Sequence, residues 1–391
     1  MFGSRNEFNI DKPDLELNLK RGMNVLIGEN DSGKSAIIDA IKLVLRTHSY
    51  EWIRIVDNDF FEETTRFRIE IEFDDLKDNE AKNFSELLTW TGEGKNTKPL
   101  LNLKFDVSRK NGKIIPSDVC AGPDNEGIPL KAEAREYLKV TYLKPLRDAN
   151  AELVPGKNSR LSQIFQGHAA FKDNEDMHYL VGLFRKFNIS IEKYFEGKKP
   201  TDENCTEFID IVDKRGFELK TKIDSLIHGL YSISKNSSIT VSEGKLKNIL
   251  EKLHLSIAND INPGLGTLNR LFMASELLHL GKENWDGLRL GLIEELEAHL
   301  HPQAQMQIVE MLQDVKDVQL ILTTHSPNLA SKIKLNNLII CHDKCAFPMG
   351  SDYTKLESDN YEYLEKFLDT TKSNLFFAKV VNLALLASLS R

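Results

Sequence analysis

The amino-acid sequence predicts an α/β fold: a mixed sheet with flanking helices, a set of N-terminal antiparallel strands, and a helical insertion. Three observations predict it. Short apolar runs alternate with helix-period segments toward both ends of the chain, the pattern of a sheet covered on both faces. Two longer runs in the first third alternate apolar and polar residues with a period of two, as half-wet antiparallel strands do. Between about Ala151 and Ile257 the apolar period becomes helical.

Met23–Ile27 is a short apolar run that stops at Gly28 and reads as a buried strand. Ala36–Leu45 follows with Ile37, Ile38, Ile41, Val44 and Leu45 at helical spacing, so a glycine-rich turn links strand to helix. In Arg66–Phe73, Phe67, Ile69, Ile71 and Phe73 face one way and Arg68, Glu70 and Glu72 the other. Leu101, Leu103, Phe105 and Val107 repeat that period, and Val140–Leu143 is a further strand. Helical segments are expected at Met177–Phe187, Phe208–Val212, Phe217–Leu230 and Lys245–Leu255, with a polar, turn-rich stretch at Lys235–Gly244. Leu268–Leu280 reads as an amphipathic helix opened by Pro263–Thr267. Strands at Leu288–Ile293, Val318–Leu322 and Leu338–Ile340 follow, with a helix at Pro302–Leu312 whose proline sits in its first turn.

With 391 residues the chain has room for two or three domains and a sizeable core. A net charge of −8 argues against a wholly basic nucleic-acid coat, though a local basic stripe is compatible with it. Cys120, Cys205, Cys341 and Cys345 are sparse and irregular, as free thiols of a cytoplasmic protein are. Cys341, His342 and Cys345 lack a second ligand pair at finger-like spacing. The apolar tail Leu375–Leu389 is too short for a membrane span and is interrupted by Lys379 and Asn382, so no membrane partner is expected.

Gly28, Glu29, Asn30, Asp31, Ser32, Gly33, Lys34 and Ser35 spell G-x-x-x-x-G-K-S. Glycines at those positions let backbone N–H groups converge on a phosphate, and the following helix turns its positive end to the same anion. Lys34 then reaches the β- and γ-phosphates and Ser35 ligates Mg²⁺. The bare pattern arises by chance in about one or two of a hundred chains this long, but rarely between a strand and a helix. This is an ATP site. Such a site needs a carboxylate in the metal shell and a second acid for the attacking water. Glu294 and Glu295, at the end of an apolar strand, suit those two tasks. Standing alone they would read as solvated turn residues. His325 ends another strand, where a histidine either bonds the γ-phosphate or water, or caps a surface turn; Pro327 does not separate the two. His299 and His301 lack a third metal ligand and read as structural. Gly264, Gly266 and Thr267 form either a second anion-ready helix start, with Thr267 as cap, or an ordinary glycine turn.

In order along the chain, GENDSGKS, GLGTLNRLFMASELL, LGLIEELEAHLHP and ILTTHSPNL together resemble the ABC-type ATPase domain shared by SMC, RecF-like and OLD (overcoming-lysogenisation-defect) proteins. GENDSGKS, LEAHLHPQAQ, TTHSPNLA and Tyr142–Ala149 are most similar to the OLD family, over about residues 20 to 375. The resemblance implies Walker A at Gly28–Ser35 and the Walker B metal role at Glu294. It implies a catalytic acid at Glu295, a switch histidine at His325, and a signature-like contact to a partner's ATP from Gly264, Gly266, Thr267 and Asn269. The sequence departs from the pattern in three places: Glu294 stands where Asp is usual in the wider class, Leu296 where proline is common, and the signature is not LSGGQ.

The expected organisation is an N-terminal ATPase half at 1–150, a helical arm or dimer contact at 151–258, the second ATPase half at 259–350, and a shortened lead-in to a TOPRIM nuclease domain at 351–391. Asn374–Val380 resembles that lead-in, but Thr370–Arg391 holds no Asp or Glu, so no two-metal nuclease site is expected there. The opening 21 residues resemble the usual first strand only loosely. The resemblance implies an ATP- and Mg²⁺-dependent homodimer or higher oligomer acting in DNA processing, repair or phage defence, with DNA and a separate TOPRIM nuclease or effector as partners. A regulatory subunit, or a remnant of a full OLD nuclease, are the alternatives; a transporter subunit is disfavoured.

Overall fold

A computed structural model describes residues 13–48, 53–92, 97–145, 152–157, 159–171, 178–197, 217, 221, 245–256, 264–281, 287–298, 300–315 and 317–367. Several sequence expectations fall outside them: the opening residues, Leu146–Ala149, Phe208–Val212, most of Phe217–Leu230, Pro263, His299, Cys205 and the whole tail with Asn374–Val380. The strands in chain order are β1 Met23–Ile27, β2 Arg66–Phe73, β3 Thr89–Thr91, β4 Lys98–Lys110, β5 Lys113–Pro116, β6 Cys120–Ala121 and β7 Ile128–Pro129. They continue as β8 Thr141–Leu143, β9 Leu290–Ile293, β10 Gln319–Thr324, β11 Leu338–His342 and β12 Cys345–Pro348.

One sheet has the order β12-β11-β1-β10-β9-β8. It is parallel from β11 through β8, and β12 closes one edge as an antiparallel hairpin with β11. Every residue of β1 and β9 is buried, as a parallel strand covered on both faces requires. The second sheet is antiparallel and built around the long β4, which pairs with β2, β3, β5 and β6. Its inward row Leu101, Leu103, Phe105 and Val107 is buried, while Arg66 and Arg68 on β2 grip Asp106 across the outer face. That pairing holds the Asp106 carboxyl below its ordinary value against the opposing effect of burial, the largest single influence. The mixed sheet with added antiparallel strands is the fold class expected.

The helix Lys34–Leu45 lies between the sheets. Its Ile37, Ile38, Ile41, Val44 and Leu45 share one core with Leu26, Leu292 and Ile321 of the parallel sheet and with Leu101 and Leu103 of β4. Chain contacts divide the molecule into one unit of Met1–Arg147 with Gly264–Arg391, and a second of Asp148–Pro263. In the second, the helix Tyr179–Phe195 and the short helix Leu246–Leu250 bury Val181, Leu246, Ile249 and Leu250 among Phe165, Phe171 and Phe184. The sequence places a longer helix at Lys245–Leu255; the helix ends at Leu250, and Leu253 beyond it still packs against the same core. Among the described residues no helix is long and apolar enough to cross a membrane.

Because Ile38 is wholly buried where both sheets meet, Ile38→Ala is expected to cost about 2–5 kcal/mol of unfolding free energy. Trp90→Ala, on a side chain 61% exposed, should change it by no more than about 0.5 kcal/mol. Urea denaturation of both variants checks the contrast.

Candidate functional site

In an open parallel sheet, ligands gather outside the carboxyl ends of the strands, where loops and helix N-termini converge. Here β1 runs between β10 and β11, with Ile27 opposite both Thr324 and Ile340. β9 lies on the far side of β10, with Ile293 opposite Leu322, and β8 follows with Leu143 opposite Ile293. The residues just beyond those ends are Gly28, Glu294 and His325, so the fold delivers three sequence-distant motifs to one edge.

The turn after β1 is compact. A Cβ on Gly28 would sit 2.2 Å from the Cys341 carbonyl oxygen of β11, so only glycine lets the loop pass that strand. Gly33 has φ 101° and Asp31 φ 63°, left-handed positions that turn successive N–H groups to one side. Gly33 caps the helix, whose first turn carries no acid to compete with an anion. Glu29 and Asp31 are exposed on this loop, and Ser32 is buried with its N–H bonded to the Glu29 carbonyl. The Lys34 ammonium donates to the carbonyls of Gly28 (2.8 Å) and Glu29 (2.6 Å). Burial lowers its proton affinity, and the negative charges of Glu297, Glu295 and Asp31 work in the other direction.

Ser35 is the second residue of the helix, and its hydroxyl donates to Oε2 of Glu294 at 3.1 Å. The other oxygen, Oε1, accepts from the Tyr142 hydroxyl of β8 at 2.8 Å. Glu294 is only 6% exposed, and burial raises its pKa above the ordinary 4.5; the hydrogen bonds from Tyr142 and Ser35 and the charge of Lys42 oppose that. Lys42 is itself buried, lies 3.7 Å from the centre of the Tyr142 ring, and bonds Asp39. Two oxygen donors joined across 259 residues of sequence suit a hard divalent cation.

Glu295 follows at φ 44°, a strained conformation for a residue with a side chain. Its N–H donates to the Thr323 hydroxyl at 3.0 Å, which holds the turn. Leu296 then returns to the core, and its N–H bonds the Thr323 carbonyl at 3.3 Å, a bond that the proline common in similar sequences cannot make. His325 is half-exposed, and both its backbone N–H and its ring meet Glu297. His301 caps the helix Pro302–Gln313 by accepting from the Gln303 N–H.

The signature-like segment corrects one expectation and divides another. The helix starts at Leu265, not Leu268, with Gly264 as its N-cap. Thr267 is therefore inside the first turn, where it accepts from Arg270 rather than capping. Gly264, Gly266 and Thr267 keep solvent access, but Asn269 is fully buried, one helical turn from Phe272 and Met273 on the inward face. Cys341 faces the core, burial pushing its thiol up to about 12, while His342 and Cys345 are exposed beyond it.

This edge, with its phosphate-ready loop and oxygen-ligand pair, agrees with what the chain is similar to. The model of the AAA ATPase domain matches residues 12–179 and 135–330. The chain belongs to that family. The chain is 25% identical over 217 residues to the "Retron Vc95 probable ATPase" of Vibrio cholerae serotype O1 biovar El Tor, covering 53% of this chain and 35% of that one. It is 22% identical over 373 residues to the "Retron Ec83 probable ATPase" of Escherichia coli, covering 83% and 68%. The chain thus spans about a third of the first relative's length and two thirds of the second's. Among solved structures, an Smc head bound to the C-winged helix domain of ScpA superposes with a TM-score of 0.45 at 14% identity, covering 85% of this chain and 90% of that one.

Tyr142 and Glu297 were not singled out by the sequence. A polar-tipped aromatic on a three-residue buried strand, and a third acid two residues past Glu295, were the available signals. Neither shows its target until the strands are aligned.

Since the native fold raises the Glu294 pKa, the folded chain holds that proton more tightly than the unfolded one. Ionised Glu294 therefore costs stability above its folded pKa, and the cost disappears as pH falls through that value toward 4.5. Glu294→Gln is expected to raise the thermal midpoint of the metal-free chain at pH 8 and to lose that advantage near pH 4.5. A midpoint that is lower at pH 8, or a gain that persists in acid, would contradict the assignment.

Proposed function

We propose that this chain binds and hydrolyses Mg²⁺-ATP as an ABC-type ATPase of the OLD-like kind. The observation that carries the reading is the Ser35–Glu294 contact beside Lys34, at an edge also reached by Glu295 and His325. Walker A is then Gly28–Ser35, with the exposed Glu29, Asn30 and Asp31 forming the crown of the loop. Ser35 and Glu294 would hold Mg²⁺, which when bound neutralises phosphate charge. Glu295 orients and deprotonates the attacking water from its strained turn. His325 contacts the γ-phosphate or that water.

On this reading, residues 1–150 and 259–350 are the two halves of one ATPase domain, 151–258 is an arm, and 351–391 leads toward a nuclease domain. ATP joins two copies, with Gly264, Gly266 and Thr267 of one meeting the nucleotide of the other, and hydrolysis releases them. The relatives named as retron ATPases favour a role in a retron-type system, within the DNA-processing and phage-defence roles expected for OLD-like proteins. A second reading is a nucleotide-dependent regulatory subunit working through a separate TOPRIM-like nuclease or effector. Co-purification with such a protein supports it.

Glu295→Gln should keep ATP affinity within about threefold and lower turnover by about 10²-fold or more. Lys34→Ala should lose binding itself. With ATP, Glu295→Gln should elute as a dimer, and Gly264→Glu should prevent this. Turnover unchanged in Glu295→Gln would sink the catalytic assignment, and a wild-type chain blind to nucleotide would favour a remnant.

A further inference from the structure

Glu297 is absent from the roles assigned above, yet its surroundings are specific. Its side chain is 10% exposed. One oxygen, Oε1, accepts the backbone N–H of His325 at 2.8 Å and lies 3.0 Å from Nδ1 of the same residue. The other, Oε2, is buried and has no hydrogen-bond partner. Its negative charge, with that of Glu295, raises the proton affinity of Lys34. The loop that carries it is tied down by Gln305, a buried side chain whose amide donates to the carbonyls of Leu300 (2.9 Å) and Glu297 (3.5 Å).

We propose that Glu297 is a positioning residue that fixes the ring of His325 for ATP hydrolysis, an inference that rests on the ATPase reading above. One carboxylate oxygen grips the same residue at its main chain and at its ring. The imidazole then cannot swing without leaving the oxygen that its own backbone N–H holds in place. A carboxylate accepts only from a protonated nitrogen, so Nδ1 carries the hydrogen and Nε2 is left as the acceptor of a ring that is half-exposed. That is the arrangement in which a carboxylate sets the tautomer of a working histidine. The buried Oε2, without a hydrogen-bond partner, is an acceptor for one further donor. A purely structural ion pair knitting two loops would need neither the shared backbone grip nor the spare oxygen.

The test uses the full chain and two readouts. In wild type without nucleotide, ¹⁵N NMR of histidine should find His325 protonated at Nδ1, and Glu297→Ala should abolish that signature. A wild-type ring lacking the Nδ1 proton overturns the proposal whatever the activity. In turnover, Glu297→Ala and the milder Glu297→Asp, whose carboxylate is withdrawn by one methylene, should lower kcat about tenfold to a hundredfold. Affinity for a fluorescent ATP analogue should change less than threefold. Glu297→Gln, whose amide oxygen still accepts both bonds, should recover at least tenfold over Glu297→Ala. The double variant Glu297→Ala/His325→Ala should be no slower than His325→Ala, because both act through one ring. Multiplying effects, or an unchanged kcat in Glu297→Asp, would overturn it. If Glu297→Ala fails to fold, Glu297→Asp and the wild-type NMR decide. A wild type that shows the Nδ1 proton but never hydrolyses ATP instead removes the ATPase reading beneath it.

Discussion

Everything at the candidate site depends on one constraint: β1 is held in parallel register between β10 and β11. Parallel strands end at the same edge of a sheet, so the turns that leave them must meet there. Buried strands leave no freedom to slip, because a shift of one residue would exchange the two covered faces. The P-loop, the acids after β9 and the histidine after β10 are neighbours for that reason alone. The side-chain contacts refine an adjacency that backbone pairing has already imposed.

The refinement is mainly a matter of holding charge in a buried place. Glu294 is ionisable and nearly buried, which is unfavourable unless the carboxylate is bonded on both oxygens. Ser35 and Tyr142 supply those bonds, and Lys42, stacked on Tyr142, supplies a compensating charge. From β10, Thr323 pins both the strained Glu295 turn and the start of Leu296.

The strands and the P-loop were legible because their signals are local. β1 and β2 occupy the residues that apolar periodicity marks, and Gly28 and Gly33 sit where the motif needs them. Glycine explains itself twice over here, by close approach to Cys341 and by a left-handed turn. Boundaries that depend on packing were less legible. Thr267 has the chemistry of a cap, but the helix gains a further turn by starting at Leu265 and leaves the threonine inside. Asn269 is polar in sequence and buried in space, which no local pattern reveals. Tyr142 and Glu297 act on residues far away or on another loop, so their targets exist only after the sheet has formed.

That long-range pairing also has a consequence during synthesis. β1 emerges from the ribosome early, with an apolar edge on each side, while the residues that cover it lie about 300 positions later. At about 5–20 residues per second, it waits on the order of 15–60 s for its partners. The antiparallel sheet around β4 closes locally in the meantime and offers the helix after β1 part of its final core. Binding competence therefore arrives late and all at once, when β9, β10 and β11 leave the ribosome. A nascent chain interrupted before that point carries the whole phosphate motif but none of the frame that shapes it.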